Sequence, residues 1–343
     1  MKKIAKADLP KLLGAVAQEM DLFTPVKMKG VSNWSVNDGT KECDLDTLKT
    51  VKSPKDVFFP QCQTLYMVHQ GDEGYSLDPM KLTEKPFAVF GIRPCDVHAL
   101  DVMDQVFLQD PVDTFYKSRR EKAVLLSLAC HRPAQTCFCK VFGTDAAQPS
   151  ADVAMWLVDD VLYLEAQTQK GTGFLEQYAA FFDDAEPAAV QEEKEKIRAV
   201  TEKLPYTNLS LNGWGPGTVT ERFDDPRWKE LSDACLACGT CTFVCPTCQC
   251  YDIKDFNTGH GIQRYRCWDS CMYSDFTLMA AANNRTTQMQ RFRQRFMHKL
   301  VYFPENNKGM YMCVGCGRCV DSCPQSLNIV KVIKAMGKEN ADV

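Results

Sequence analysis

The sequence predicts an α+β fold in two parts, an N-terminal α/β domain over residues 1–215 and a cysteine-rich domain over residues 216–343. Three observations predict it. One cysteine spacing, C-x2-C-x2-C-x3-C-P, occurs at Cys235, Cys238, Cys241, Cys245 and Pro246, and recurs at Cys313, Cys316, Cys319, Cys323 and Pro324. Upstream, apolar β-type runs alternate with segments of helical spacing. Between the two regions, NLSLNGWGPGTVTERFDDP is rich in Gly, Pro and Asp and reads as a connector, which places the boundary near 205–225.

The elements follow in order. ADLPKLLGAVAQEM reads as a short helix and DLFTPVKMKG as an extended piece after it. KPFAVFGIRPCDVHALDVMDQVF is an apolar strand, a Gly-containing turn and a helix, with Cys95 at the switch. AVLLSLAC is a second strand ending at Cys130, and DVAMWLVDDVLYLEAQ is a hairpin turning at Asp159 and Asp160. Residues 173–204 are helical with a break near Pro187, their charge run a solvated face. The long insertion between the two cysteine arrays reads as helical, with TTQMQRFRQRFMHKLVYF as a strongly basic helix.

With 343 residues the chain is long enough to bury a hydrophobic core without disulfides. The N-terminus carries charges through its would-be apolar stretch and lacks a small-residue cleavage site, so no secretory signal is expected. No apolar run reaches the roughly 18 residues of a spanning helix, which predicts a cytoplasmic protein with no membrane insertion. Forty basic against 44 acidic residues leave no positive field for nucleic acid. In a reducing cytosol the 18 cysteines stay free or bind metal.

The repeated array is the strongest signal. Three thiolates at C-x2-C-x2-C lie on one tight loop and aim at one cluster, whereas the fourth, followed by Pro, has left that loop and in two-cluster ferredoxins ligates the other cluster. The spacing therefore assigns one [4Fe-4S] cluster to Cys235, Cys238, Cys241 and Cys323, and a second to Cys313, Cys316, Cys319 and Cys245. Structural zinc also uses C-x2-C pairs, but needs only four ligands and no repeated Cys-Pro ending.

Two further quartets are candidates. Cys95, with Cys130, Cys137 and Cys139 of CHRPAQTCFC, forms a candidate third iron–sulfur site, two of its members following predicted strands where loops collect at a sheet edge. The alternative is a scatter of buried free cysteines. Cys248, Cys250, Cys267 and Cys271 form an irregular group for which metal binding and packing are both open, with Cys267 and Cys271 placed at i, i+4 on a helix. Cys43 and Cys62 read as structural.

No dinucleotide fingerprint, P-loop, H-E-x-x-H or G-x-S-x-G is present, and GWGPG is a turn. No catalytic residue is assigned. The run Arg291, Arg293, Arg295, His298 and Lys299 lacks interleaved aromatic platforms for nucleic acid and reads first as a solvated face, with offsetting of cluster charge as an alternative. Met272, Met279, Met289 and Met297 read as core fillers.

With FGIRPCDVHALDVMDQVF, TCFC, CLACGTCTFVCPTCQCYD, RYRCWDSC and CVGCGRCVDSCP in this order, most of the chain resembles the sulfhydrogenase β-subunit family and the A subunit of anaerobic sulfite reductase. The resemblance implies an α-helical-type ferredoxin domain with two [4Fe-4S] clusters. It also implies an electron-transfer subunit between an FAD- and NAD(P)-binding subunit like ferredoxin–NADP reductase and a catalytic subunit of hydrogenase, sulfite reductase or heterodisulfide-reductase type. A different class of function, a stand-alone iron–sulfur reductase with a substrate-binding cluster in the N-terminal domain, is the alternative, motivated by an N-terminal domain that a simple ferredoxin does not need.

Overall fold

A computed structural model describes residues 1–47, 49–71 and 74–338. Its strands are β1 (Lys2–Ala5), β2 (Asp21–Met28), β3 (Val31–Val36), β4 (Cys62–Gly71), β5 (Gly74–Pro79) and β6 (Phe87–Ile92). They continue with β7 (Ala123–Leu128), β8 (Val153–Val158), β9 (Val161–Ala166), β10 (Asp183–Asp184), β11 (Tyr251–Asn257) and β12 (Ile262–Trp268). Mixed helix and sheet content is the α+β class expected.

One sheet has the order β10-β1-β9-β8-β7-β6-β2-β3. Its centre, β2-β6-β7-β8, is parallel, and the flanking pairs are antiparallel. Every residue of β6 is buried, the signature of a parallel strand covered on both faces. Helix Leu9–Glu19 covers one face with Leu12, Leu13 and Val16, and helix Pro94–Phe107 packs Val97, Leu100, Met103 and Phe107 into the core on the other. Both begin with Pro in the first turn, where a missing N–H costs nothing.

The parallel strands β6 and β7 run out toward the cysteine-bearing loops. Cys95 stands in the first turn of helix Pro94–Phe107 directly after β6, and Cys130 follows β7. The predicted hairpin is β8–β9, with Asp159 in the left-handed region. The break at Pro187 also holds, since helix Ala188–Thr201 starts directly after it.

The insertion between the arrays departs from its helical reading. Residues 251–268 form the hairpin β11–β12, and β12 pairs with β4 to give the sheet β11-β12-β4-β5. YDIKDFN and IQRYRCW flank a Thr-Gly-His-Gly turn, and long-range pairing of the second with β4 fixes the hairpin as strands. Arg266 anchors this sheet, buried and paired with Asp113 and with Gln63 Oε1. The later half is helical as expected: Thr287 and Gln290 form a capping box for helix Gln288–Met297, which runs on through a π-helical turn at His298–Tyr302. No helix among the described residues is long and apolar enough to cross a membrane.

Candidate metal centre

Each array loop runs into a short helix, Thr240–Phe243 in the first and Arg318–Ser322 in the second. The chain then turns at Cys-Pro, and the fourth cysteine lands in the other array's cavity. Cys235, Cys238, Cys241 and Cys323 line one cavity of about 430 Å3. Cys313, Cys316, Cys319 and Cys245 line a second of about 340 Å3. Among the described residues no three His, Cys, Asp or Glu side chains converge closely enough to hold a single ion. The thiols instead surround a space, as a multi-atom group requires and a tetrahedral zinc ion does not.

Arg295 lines both cavities. Its side chain is 2% exposed, and its Nε and Nη1 have no hydrogen-bond partner among the described residues. A buried guanidinium without a carboxylate is costly unless anions face it. Burial opposes its charge, but the thiols of Cys241, Cys319, Cys248 and Cys245 outweigh that and hold it protonated. Lys299, 3% exposed, lines the second cavity and donates to Thr247 Oγ1 at 2.9 Å. The orphaned donors of Arg295 against both thiol-lined cavities, and the buried ammonium of Lys299 against the second, fit negatively charged iron–sulfur clusters. Burial pushes Cys316 up to about 12 and Cys241 up to about 11, so loading such a site releases protons from the thiols.

These two cations overturn the solvated-face reading of the basic run for Arg295 and Lys299. Helical phase decides it: Phe292, Arg295, Phe296 and Met297 share the buried side of helix Gln288–Met297. Of the methionines, Met272 and Met297 are core residues, whereas Met279 is 55% exposed, contrary to its reading as core.

The third quartet is brought together against the second cavity. Phe138 N donates to Gly315 O at 2.8 Å, and Cys137 Sγ lies 3.8 Å from Cys316 O. The loops approach so closely that a Cβ on Gly315 would stand 2.3 Å from Phe138 O, and one on Gly317 2.4 Å from Thr136 O. Cys137 is near enough to raise the Cys130 thiol, and Cys130, Cys137 and Cys316 to raise that of Cys139. Burial, the larger cause, takes Cys130 and Cys139 up to about 12. Arg318 clamps the junction through a buried bidentate pair with Asp96 at 2.6 and 2.8 Å and a bond to Thr50 O at 2.9 Å. Asp96 follows Cys95, so this ion pair ties the strand–helix switch to the second array.

The remaining quartet separates. Cys250 and Cys271 are close enough that each shifts the other's thiol, Cys250 down and Cys271 up, and Cys245 and Cys248 are related in the same way. Cys267 lies on strand β12, not on a helix, directly opposite Cys62 on β4. The i, i+4 spacing to Cys271 therefore carries no structural meaning. Sequence reasoning missed Lys55 as well, whose buried ammonium donates to Cys248 O at 2.8 Å and lies 3.6 Å from the Trp268 ring centroid. Nothing local signals it, because both partners are remote in sequence.

These paired cavities, set on crossed cysteine arrays, define an iron–sulfur protein of the two-cluster kind, and residues 234–327 match the family model of the 4Fe-4S dicluster domain. Over 335 residues the chain is 30% identical to sulfhydrogenase 2 subunit beta of Pyrococcus furiosus, with 96% of each chain covered. The chain belongs to the sulfhydrogenase β-subunit family and is an iron–sulfur electron-transfer subunit. No solved structure matches it.

Proposed function

We propose that this chain relays single electrons within a cytoplasmic multi-subunit oxidoreductase, between an FAD- and NAD(P)-binding subunit and a catalytic subunit of hydrogenase, sulfite reductase or heterodisulfide-reductase type. Cys235, Cys238, Cys241 and Cys323 hold one [4Fe-4S] cluster, and Cys313, Cys316, Cys319 and Cys245 hold the second. Cys95, Cys130, Cys137 and Cys139 hold a third iron–sulfur cluster in the domain of residues 1–215. The clusters supply one-electron exchange at potentials set by burial, charge and hydrogen bonds to sulfur.

The observation that carries this reading is the sharing of walls. Arg295 belongs to both array cavities, and the backbone of residues 136–139 lies on the loop of Cys316. The first two thiol sets are thus neighbours through Arg295, and the second and third through the Cys316 loop. At one end Cys238 and Leu236 are exposed, which gives the row an outlet at the surface. The buried cations Arg295 and Lys299 keep negative charge tolerable there without donating chemistry of their own.

Anaerobically purified protein tests it. Iron and acid-labile sulfide in equal amounts near three clusters per chain, bleaching by dithionite, no substrate turnover by the lone chain and copurification with a flavoprotein are the expected results. Two clusters per chain would remove the third site, and turnover by the isolated chain would overturn the relay.

A further inference from the structure

Cys250 and Cys271 are absorbed by none of the three sites above. The fold nevertheless clamps them together at the base of the hairpin β11–β12. Tyr251 pairs with Trp268, and Asp269 N donates to Cys250 O at 2.9 Å, so the end of the hairpin sets Cys250 opposite Asp269, two residues before Cys271. The turn after β12 is fastened by Ser270 Oγ, which accepts from Thr242 Oγ1 at 2.9 Å and from Met272 N at 3.1 Å. Cys271 is 7% exposed, whereas Cys250 is only half-buried. Cys250 is the more exposed of the two.

The contact is pairwise. No third His, Cys, Asp or Glu side chain among the described residues joins these two thiols around a single ion. The charge environment suits an attacking thiolate. Two buried ammoniums face the thiols, and the partners of their hydrogen bonds are Cys248 O, Thr247 Oγ1 and Met312 O, none of them a carboxylate. The hydrogen bond from Cys271, together with Lys299 and Lys55, outweighs burial and brings the Cys250 thiol down to about 7. A thiol lowered in this way is more readily the thiolate that exchange requires.

We propose that Cys250 and Cys271 are a redox-active dithiol that reduces small disulfides by thiol–disulfide exchange, a two-electron site beside the one-electron path. The Cys250 thiolate attacks one sulfur of the substrate disulfide, forms a mixed disulfide and expels the other sulfur as a thiolate, which takes a proton from solvent. Cys271, losing its proton to solvent, then attacks Cys250 Sγ. The Cys250–Cys271 bond forms, the mixed bond breaks, and the second substrate thiol leaves. The dithiol is oxidised by two electrons and the disulfide reduced by two.

The test uses the protein as purified anaerobically, in a series of oxidised and reduced glutathione ratios, quenched in denaturant with N-ethylmaleimide and read by peptide mass spectrometry. Oxidation is expected to cross-link Cys250 to Cys271 reversibly while iron and sulfide content stay constant. Cys271→Ser is expected to trap the mixed disulfide on Cys250, and Cys250→Ser to trap none. Alkylation of both thiols at every ratio, a cross-link that appears only as iron is lost, or a cluster's worth of iron missing from Cys250→Ser would overturn the proposal. Because iron is counted separately, failure of the dithiol is distinguishable from failure of the relay.

Discussion

Arg295 places a positive charge against two cavities at once, and its effect is measurable at the level of one side chain. A unit charge a few ångströms from a redox centre, at an effective dielectric of about 20, is worth roughly 2–3 kcal/mol. For one electron about 1.4 kcal/mol corresponds to 59 mV, so Arg295→Leu is expected to lower the potentials of both array clusters by roughly 100 mV, since the added electron loses its counter-charge. Arg295→Lys should recover most of the shift, and EPR-monitored titration reads both. Potentials unchanged in the leucine variant would remove Arg295 from the electrostatics of the path. Gly315 offers a steric counterpart. Its φ of +62° and the 2.3 Å approach to Phe138 O make Gly315→Ala displace the Cys-Phe-Cys loop. That variant should lose the third cluster's iron, whereas Gly309→Ala, with φ +83° and open space around it, should cost only about 1–2 kcal/mol in thermal unfolding and no iron.

At the scale of elements, the β11–β12 hairpin is held to the rest of the chain by Arg266. Removing one partner of a buried ion pair leaves the other charge uncompensated, so Arg266→Leu is expected to destabilise the fold by about 3–5 kcal/mol in denaturant titration. The two histidines at element ends set a pH dependence. Burial, with help from neighbouring cations, lowers both His131 and His298 from about 6.5 to about 4. The unfolded chain therefore binds protons first as pH falls, and stability present above pH 6.5 is lost on the way down to about pH 4. Melting temperatures across that window should fall with decreasing pH, and His298→Gln should flatten the slope. The hairpin was the element least legible in the sequence. Its alternation is masked by charged residues, and only pairing with β4, far away along the chain, makes YDIKDFN and IQRYRCW strands. For the same reason Cys267 reads as a helical neighbour of Cys271, although its partner across the sheet is Cys62. The β6–helix switch at Cys95 was legible because strand, turn and helix are contiguous and their patterns change period at that point.

For the whole molecule, the two array cavities could be read from spacing alone, because a ferredoxin loop encodes its ligands within a few residues. The cations that serve them could not, since burial of Arg295 and Lys299 depends on which side of one helix turns inward. The gathering of Cys95, Cys130, Cys137 and Cys139 lies between these cases: the sheet edge was foreseeable, but its docking on the Cys316 loop through Arg318 and Asp96 required the fold. The account rests on exchange of the fourth cysteines between arrays, and a pair of variants measures that directly. If Cys238 and Cys323 serve one cluster, Cys238→Ser, Cys323→Ser and the double variant should each lose the same one cluster, about four irons per chain. Additive loss of about eight irons in the double variant would place the two residues on different clusters and contradict the crossed arrangement.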